Sequence, residues 1–275
     1  MPKVFVVAEA GKNFIDHDWK QGAMTIPYYV ERAVALIKVA KKAGADAVKF
    51  QTHVFEDEQH FRGRARHDWI KFNESITPRS FWGELKRQCD YYGIEFMTTP
   101  MSRLAAIKVN DLVTRWKVGS GNVTDKLLLE YIASTDKPVI LSTGMSSLLQ
   151  IIDAISILKR NELSLLYCKS IYPCSLDKID FKMISVMKHY FGYPVGFSDH
   201  TVEITTPARA VVNGAIIVEK HFTLDKSAFG PDHSFSLEPD ELKSSIQLVR
   251  DYQYFEGLLI FPDEEELKYW KNFRK

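Results

Sequence analysis

Two histidines in the C-terminal third of the chain each end a short apolar run. His200 ends the run PVGFSDH, and His221 ends the run AIIVEKH. The segment between the runs is rich in Ala and Val and has the length of a helix, so we predict a β-α-β unit with parallel strands at 194–200 and 216–222. Two neutral imidazoles at adjacent strand ends can hold a divalent metal ion, whereas either histidine alone is more typical of a hydrogen-bonded core residue.

Polar side chains also end the other apolar runs of the chain. In chain order they are Glu9, Lys49, Gln51, Thr98, Thr99, Lys117, Ser120, Asn122, Ser142, Thr143, Ser170, Tyr172, Ser198, Asp199, His200, Glu219 and His221. Two lysines with several hydroxyls favour an anionic ligand, most simply a phosphate with a carboxylate. The two histidines and nearby carboxylates favour a divalent metal beside it.

Simpler roles remain open for several of these residues. Lys49 or Lys117 alone could pair with a buried carboxylate, and Glu9 could be the partner of such a lysine. Thr99 and Ser120 could cap strand ends or the helices that follow. Cys168, inside an apolar run, is predicted to be a core residue.

Strand and helix patterns alternate along the chain. Apolar runs predict eight strands, at 4–10, 47–52, 94–100, 115–122, 138–144, 163–173, 194–200 and 216–222. Helical patterns lie at 27–44, 81–93, 102–112, 126–134, 146–160, 180–191 and 239–257, with Asp125 as an expected N-cap. Residues 53–79 show no clear periodicity and are predicted to be a long functional loop.

The predicted fold class is α/β, a (β/α)8 TIM barrel formed by residues 1–260 as one domain. A doubly wound sheet would need a glycine-rich phosphate turn after the first strand, and AEAGKN does not match one. Residues 261–275 are charged and aromatic, and we predict a short helix or tail there. In a barrel, all the polar strand ends meet at one mouth, where active sites lie.

Composition excludes several classes of partner. The net charge of +1 gives no electrostatic footprint for nucleic acid or an acidic membrane surface, and no stretch approaches a membrane span. Three cysteines in 275 residues do not indicate a disulfide framework, which favours a reducing, cytoplasmic location. Arg62, Arg64 and Arg66 are predicted to lie in a solvated or substrate-covering loop.

Nine motifs occur in an order that resembles the sialic acid (N-acetylneuraminate) synthase family over residues 4–257. They are VAEAGKN, AGADAVKFQT, FMTTPMSR, KVGSGNVT, KPVILSTGMSS, CKSIYP, VGFSDHT, VEKHFTLD and GPDHSFSLEP. The resemblance implies a (β/α)8 barrel that condenses phosphoenolpyruvate with a sugar aldehyde, typically an N-acetylmannosamine-like sugar. It also implies a divalent metal, usually Mn²⁺.

The resemblance also implies roles for individual residues. His200 and His221 match metal-binding histidines, and with Glu9, Lys49 and Lys117 they form the expected catalytic set. The positions that match phosphoenolpyruvate contacts are Lys49, Thr99, Lys117, Ser120, Ser170, Tyr172 and Ser198. Those near the sugar and the metal are Glu9, Gln51 and Asp232.

The sugar side of the pattern departs from the family. Asn122 stands in GSGN where the family has GSGE, and Asn13 to Asp16 replace the common NHNG. The family pattern usually continues into a C-terminal antifreeze-like domain, whereas this sequence stops at WKNFRK. We therefore expect a different sugar, a covering chain (a homo-oligomer or a separate protein), or a cover formed by residues 53–79.

Two other functions are compatible with the same residues. A Schiff-base aldolase of this fold would use Lys49 or Lys117 as its nucleophile. A non-catalytic barrel that binds a sugar phosphate would explain Asn122, but it gives little reason for the paired histidines.

Overall fold

The computed structural model describes residues 3–59 and 64–253. Arg62 and the predicted tail at 261–275 lie outside these ranges. The division of the chain at residue 260 therefore stays a prediction. Within the described ranges, no helix is long and apolar enough to cross a membrane.

Eight parallel strands form a nearly closed barrel, which confirms the predicted fold class. Their spatial order is β3-β2-β1-β8-β7-β6-β5-β4. Across the remaining gap, Nε of Arg115 beside β4 donates a 2.7 Å hydrogen bond to Oε1 of Glu95 on β3. The strands are β1 (Phe5–Gly11), β2 (Ala47–Thr52), β3 (Glu95–Pro100), β4 (Trp116–Val118), β5 (Val139–Ser142), β6 (Leu163–Cys168), β7 (Val195–Asp199) and β8 (Ile217–His221).

Helices alternate with the strands and cover the outside of the barrel. They are α1 (Ile26–Ala43), α2 (Arg64–Ile76), α3 (Arg79–Tyr92), α4 (Arg103–Val109), α5 (Lys126–Ala133), α6 (Leu148–Leu158), α7 (Lys182–Phe191), α8 (Thr206–Val212) and α9 (Pro239–Tyr252). The N-cap predicted at Asp125 is confirmed, because its Oδ1 accepts the Leu128 N–H at 3.1 Å. Large buried side chains such as Trp82, Trp116 and Phe197 pack in the main core formed with these helices.

The inside of the barrel is layered by the two-residue period of its strands. One apolar layer is formed by Val7, Ala47, Met97, Ile140, Leu166 and Ile217. Two residues further along each of these strands stand Glu9, Lys49, Thr99, Ser142, Cys168 and Glu219. The apolar layer is therefore a floor, and the next layer carries the polar groups toward the C-terminal ends of the strands.

Gly196 keeps the floor closed where β7 passes β6 and β8. A Cβ on this residue would collide with the carbonyl oxygen and Cβ of Ile217 and with Leu166. Only glycine therefore permits this approach of the backbones.

Three sequence-based expectations are corrected by the structure. The fourth strand ends at Val118 rather than at residue 122, and Ser120–Asn122 form a short 3₁₀ helix. Residues 53–79 are not an irregular loop, because they contain a short 3₁₀ helix at Phe55–Glu58 and the helix α2. The sixth strand ends at Cys168 rather than at residue 173. Ser170 and Tyr172 therefore lie in the loop after β6, whose Pro173 has no N–H to continue a strand ladder.

Candidate active site

The strand ends converge on a cavity of about 240 Å³ at the mouth of the barrel. Twelve of the thirteen residues predicted for the site line it: Glu9, Lys49, Gln51, Thr99, Lys117, Ser120, Asn122, Ser170, Tyr172, Ser198, His200 and His221. Asp232, the thirteenth, lines an adjacent, larger cavity. The sequence thus identified a set of residues that the fold does bring together.

Lys49 is buried at the centre of this cavity. Its Nζ lies 2.6 Å from Oε2 of Glu9 and 2.8 Å from Oγ1 of Thr99. A second carboxylate oxygen, Oε2 of Glu219, lies 3.7 Å away. Glu9 is therefore the ion-pair partner of Lys49, which is the simpler of the roles expected for it.

Lys117 reaches the same carboxylate from the opposite side of the barrel. Its Nζ donates to Oγ of Ser142 at 2.6 Å and lies 3.8 Å from Oε1 of Glu219. Glu219 also accepts a 3.0 Å hydrogen bond from Ser198. One buried carboxylate thus stands between two ammonium groups, and we call Lys49, Lys117 and Glu219 the lysine–glutamate cluster.

Burial and charge act in opposite directions in this cluster. Burial favours neutral Glu219, but Lys117 and Lys49 outweigh it and lower the pKa of this carboxyl to about 2. Burial also disfavours the Lys49 cation, yet Glu219 and Glu9 raise its pKa above the ordinary value. For Lys117, burial prevails over Glu219 and lowers the pKa.

In Glu9 the effect of burial on the pKa outweighs that of the neighbouring cation, whereas in Glu219 the neighbouring cations outweigh burial. Burial raises the pKa of Glu9 to about 7, because the attraction of Lys49 compensates only part of the desolvation and Glu219 adds repulsion. Its Oε1 accepts a 3.1 Å hydrogen bond from the amide of Gln51. A carboxyl group that titrates near neutrality can give or take a proton during a reaction.

The two histidines lie beside each other as predicted, His200 directly after β7 and His221 at the end of the neighbouring parallel strand β8. Their ring centroids are 5.8 Å apart, and burial lowers the pKa of both imidazoles, with His200 adding to the effect on His221. Nδ1 of His200 lies 2.6 Å from the carbonyl oxygen of Lys169, to which it donates in the neutral form. This bond leaves the lone pair on Nε2.

Buried polar atoms without partners also face this region. Nδ1 of His221 and Oγ of Ser170 have no hydrogen-bond partner among the described residues. Nε2 of His200 has only a long 3.4 Å contact with Oγ of Ser198. Neutral imidazoles are suitable ligands for a divalent metal. No three His, Cys, Asp or Glu side chains of residues 3–59 and 64–253 form a metal cluster, so water or substrate oxygens would have to complete the coordination.

An ion pair behind the site fixes the two segments that carry the histidines. Lys220 lies between Glu219 and His221, and its Nζ donates to Oδ2 of Asp199 at 2.8 Å and to the carbonyl oxygen of Thr201 at 2.5 Å. Asp199 in turn accepts the backbone N–H of Thr201 at 2.9 Å. This buried network connects the end of β8 to the residues on both sides of His200.

Tyr172 and Asn122 form part of the rim of the cavity. The ring of Tyr172 lies 4.2 Å from that of His200, between centroids, and its side is half exposed. The amide nitrogen of Asn122 donates to the carbonyl oxygen of Met101 at 3.1 Å, while its buried Oδ1 has no partner in the described part of the chain. Both side chains line the small cavity.

Asp232 connects the candidate site to the larger cavity. A Cβ placed on Gly11 would lie 3.3 Å from Oδ2 of Asp232, 3.3 Å from Oε1 of Glu9 and 3.5 Å from Nε2 of Gln51. The three polar groups therefore meet above Gly11, whose φ of 53° is in the left-handed region. Asp232 therefore adjoins Glu9 and Gln51 although it lines a different cavity.

Sequence reasoning noted Glu219 as a strand-end residue but gave it no role. It also left Ser142 and Lys12 out of the predicted site, although Ser142 lines the small cavity and Lys12 the large one. A signal for Glu219 was available, because it lies two residues before His221 and must share its face of β8. No pattern in the sequence pointed to Lys12.

Comparisons with known proteins agree with this arrangement. Residues 36–259 match the model of the NeuB family. An uncharacterised protein of Methanocaldococcus jannaschii is 37% identical over 90% of this chain and 70% of its own length. The N,N'-diacetyllegionaminic acid synthase of Legionella pneumophila is 35% identical over 90% of this chain and 71% of its own.

A solved structure has the same architecture. The N-acetylneuraminic acid synthetase of Leptospira borgpetersenii, determined in complex with citrate, superposes with a TM-score of 0.87 at 29% identity, over 99% of this chain and 93% of that one. The resemblance predicted from the nine motifs is confirmed. The chain belongs to the NeuB family, the family of the sialic acid synthases.

Proposed function

We propose that this enzyme joins phosphoenolpyruvate to the aldehyde carbon of a sugar and releases inorganic phosphate, giving a sialic acid-type ulosonic acid. The observation that carries the proposal is the lysine–glutamate cluster beside two neutral histidines at the end of a barrel. The names of the relatives support a product of this class. An N-acetylmannosamine-like sugar or a related aldose is the expected acceptor.

Lys49 and Lys117 would hold the negative charges of phosphoenolpyruvate. Both ammonium groups are buried and within reach of hydroxyls, Thr99 and Ser142, that keep them oriented. Preorganised cations in a site with little water stabilise charge more strongly than the same groups in solvent. As C3 of phosphoenolpyruvate bonds to the aldehyde carbon, they would hold the phosphate and carboxylate in place.

Glu9 is the group best suited to move a proton. Water must add to C2 of the former phosphoenolpyruvate before the C2–O bond to phosphate breaks, and that water loses a proton. With a pKa of about 7, caused by burial, the Glu9 carboxylate can take this proton at neutral pH. Its bond to Lys49 weakens when it is protonated, which frees the ammonium group for the departing phosphate.

The residues present fit a divalent metal, which we propose to be Mn²⁺. His200 and His221 would hold it, since both imidazoles are neutral and His200 is fixed in one tautomer by the Lys169 carbonyl. When bound, such an ion supplies a Lewis acid for a carbonyl oxygen.

The acceptor side of the site would be formed by Gln51, Asn122, Tyr172 and Asp232. None of them forms a hydrogen bond or ion pair with Lys49 or Lys117 among the described residues, and amide, phenol and carboxylate groups are suited to sugar hydroxyls. A homo-oligomer or a separate covering chain, and a cytoplasmic location, stay predictions.

A coupled assay would test the proposed reaction. Purified protein with Mn²⁺, phosphoenolpyruvate and a panel of N-acetylmannosamine and related aldoses should release phosphate only when an accepted sugar is present, with the condensed acid detected by mass spectrometry. Lys49→Met and Lys117→Met should abolish this activity, while Lys38→Met, on the outer helix α1, should not. Failure of phosphoenolpyruvate to bind would refute the proposal.

The lowered pKa of Lys117 supports one second candidate, a Schiff-base aldolase. Burial lowers this pKa, and a neutral amine is the form that attacks a carbonyl. Borohydride should trap a covalent adduct at Lys117 if this reaction occurs. An untrapped enzyme that a chelator inactivates would exclude the aldolase and favour the condensation.

A further inference from the structure

A larger cavity of about 870 Å³ adjoins the candidate active site. Its walls include Trp19, Trp69 and Phe229, and its polar lining includes Lys12, Arg66 and Asp232. Asp232 also meets Glu9 and Gln51 above Gly11, so the two cavities share this side chain. The larger one has the position expected for the part of the acceptor sugar that lies away from the aldehyde.

Lys12 is the unexplained feature of this cavity. Its side chain is only 7% exposed, and its Nζ lies 5.6 Å from the ring centroid of Trp69. No hydrogen bond or ion pair of Lys12 is found among residues 3–59 and 64–253, whereas the buried Lys49, Lys117 and Lys220 each contact a carboxylate and a hydroxyl. A lysine is seldom buried without such a partner.

We propose that the acceptor sugar carries a negatively charged group, a phosphate or a carboxylate, at the end remote from its aldehyde, and that Lys12 binds this group. The inference rests on the proposed condensation and specifies the chemical class of its acceptor. An anion would supply the partner that the ammonium group lacks in the described structure. The group would also lie in a pocket with little water, where an ion pair is strong.

The other charges of the cavity agree with this orientation of the sugar. Burial lowers the pKa of Lys12 and Arg66 adds to the lowering, whereas Asp232 and, more weakly, Glu58 and Glu9 oppose it, so a second cation acts on the same region. Asp232, the acidic group, lies on the side of Glu9, where neutral hydroxyls would enter. The tryptophan rings offer apolar faces to the sugar carbons between these two ends.

A neutral acceptor explains the cavity less well. It would cover Lys12 without neutralising it, and the ammonium group would then lose its remaining water. The compensation would be the aromatic face of Trp69 and the attraction of carboxylates with which Lys12 forms no ion pair in the described structure, Asp232 foremost. The cation–π contact with Trp69 is worth about 2 kcal/mol when desolvated, less than the cost of burying an unpaired charge.

Binding of reduced sugars would test the proposal without turnover. The probes are the alditol forms of N-acetylmannosamine, of its 6-phosphate and of its 6-carboxylate, which have no aldehyde to condense. Each is titrated calorimetrically into the protein with Mn²⁺ and saturating phosphoenolpyruvate, so that the phosphate site at the two active-site lysines is already filled. The phosphate and carboxylate probes distinguish the two sources of charge.

We expect at least one charged alditol to bind about tenfold or more tightly than the neutral one, with that ratio falling to about one in Lys12→Met. Lys12→Arg should keep most of the preference. Lys38→Met is the matched control, because Lys38 makes a similar contact at 5.7 Å over Tyr92 on the outside of the barrel. It should leave the ratio unchanged.

Three results would overturn the inference: equal binding of neutral and charged alditols, a charge preference that survives in Lys12→Met, or no binding of any alditol to the wild type. The titration of phosphoenolpyruvate in the same experiment reports separately on the proposed reaction. If phosphoenolpyruvate binds and the charged alditols show no advantage, the condensation stands and the role of Lys12 fails. If phosphoenolpyruvate does not bind, the condensation fails, and the alditol ratio is still measured in Lys12→Met and Lys38→Met.

Discussion

Replacing Glu219 by glutamine tests the physical organisation of the lysine–glutamate cluster. The substitution keeps the size of the side chain and its ability to accept the Ser198 hydroxyl, which donates at 3.0 Å. It removes the one carboxylate that lies near both Lys49 and Lys117. In the absence of ligand, Lys117 then has no carboxylate partner among the described residues, and Lys49 retains only Glu9.

The expected loss of stability follows from the two distances. At 3.7 and 3.8 Å, each ion pair is worth about 4.5 kcal/mol at an effective dielectric constant of about 20. Removing the carboxylate also removes its own desolvation cost, and deletion of one partner of a buried pair typically costs about 3–5 kcal/mol. At about 2–4 °C per kcal/mol for a domain of this size, the Tm should fall by roughly 6–20 °C.

Thermal unfolding near neutral pH measures this loss. Burial opposes ionisation of Glu219, but Lys117 and Lys49 lower its pKa to about 2, so its contribution is fully present above the ordinary value of 4.5 and is lost as pH falls toward 2. The matched control is Glu241→Gln, which removes a half-exposed pair with Lys226 at 2.6 Å and should cost less than about 1 kcal/mol.

Added phosphate or phosphoenolpyruvate supplies the decisive comparison. If the two ammonium groups are an anion site, the ligand replaces the missing negative charge, and it should raise the Tm of Glu219→Gln by more than it raises that of the wild type. A loss no larger than that of Glu241→Gln, or an equal ligand shift in both proteins, would refute the reasoning.

Three other substitutions test neighbouring parts of the site. Because burial raises the pKa of Glu9 to about 7, kcat/KM should increase as pH rises through 7, and Glu9→Gln should lose both this limb and most of the activity. Gly144→Ala should raise the KM for phosphoenolpyruvate about tenfold or more, because its Cβ would collide with Ser170, while Gly83→Ala on α3 should not; unchanged KM would contradict the geometry. His200→Ala should abolish Mn²⁺ binding in calorimetry, whereas the exposed His189→Ala should bind normally; retained binding would exclude His200 as a ligand.

The sequence was informative about the barrel because a strand places its side chains by a simple rule. Residues two apart along a strand face the same side. The residue two positions after an apolar floor residue therefore also points into the barrel, one layer closer to the mouth. Lys49 after Ala47 and Glu219 after Ile217 follow this rule. Seven of the twelve convergent side chains lie on strands and follow from strand period and barrel closure, whereas Ser120, Asn122, Ser170, Tyr172 and His200 lie in the segments after the strands.

Other features depended on contacts that no local pattern encodes. Helix α2 was missed because its sequence, RARHDWIKFNESI, is mostly polar, and of its buried residues only Ile70 and Ile76 are apolar, while Asn73 is not. The sharing of Glu219 by two lysines depends on the distances from β2 and from β4 to β8 inside the barrel. The burial of Lys12 requires α2 to cover it, so it could not be predicted once α2 was taken for a loop.

The two cavities therefore differ in how they are built, and this difference has a functional consequence. Half of the residues that line the small one lie on strands, including Lys49, Lys117 and Glu219, and their backbone positions are fixed by the sheet, which suits a substrate common to a whole family. The large one is lined by Lys12 and Trp19 after β1, by α2, and by residues 227–232 after β8, all outside the sheet. Segments of this kind can change without disturbing the barrel. We expect the phosphoenolpyruvate side to tolerate few substitutions and the choice of sugar to be altered through the large cavity, with Lys12 as the first position to vary.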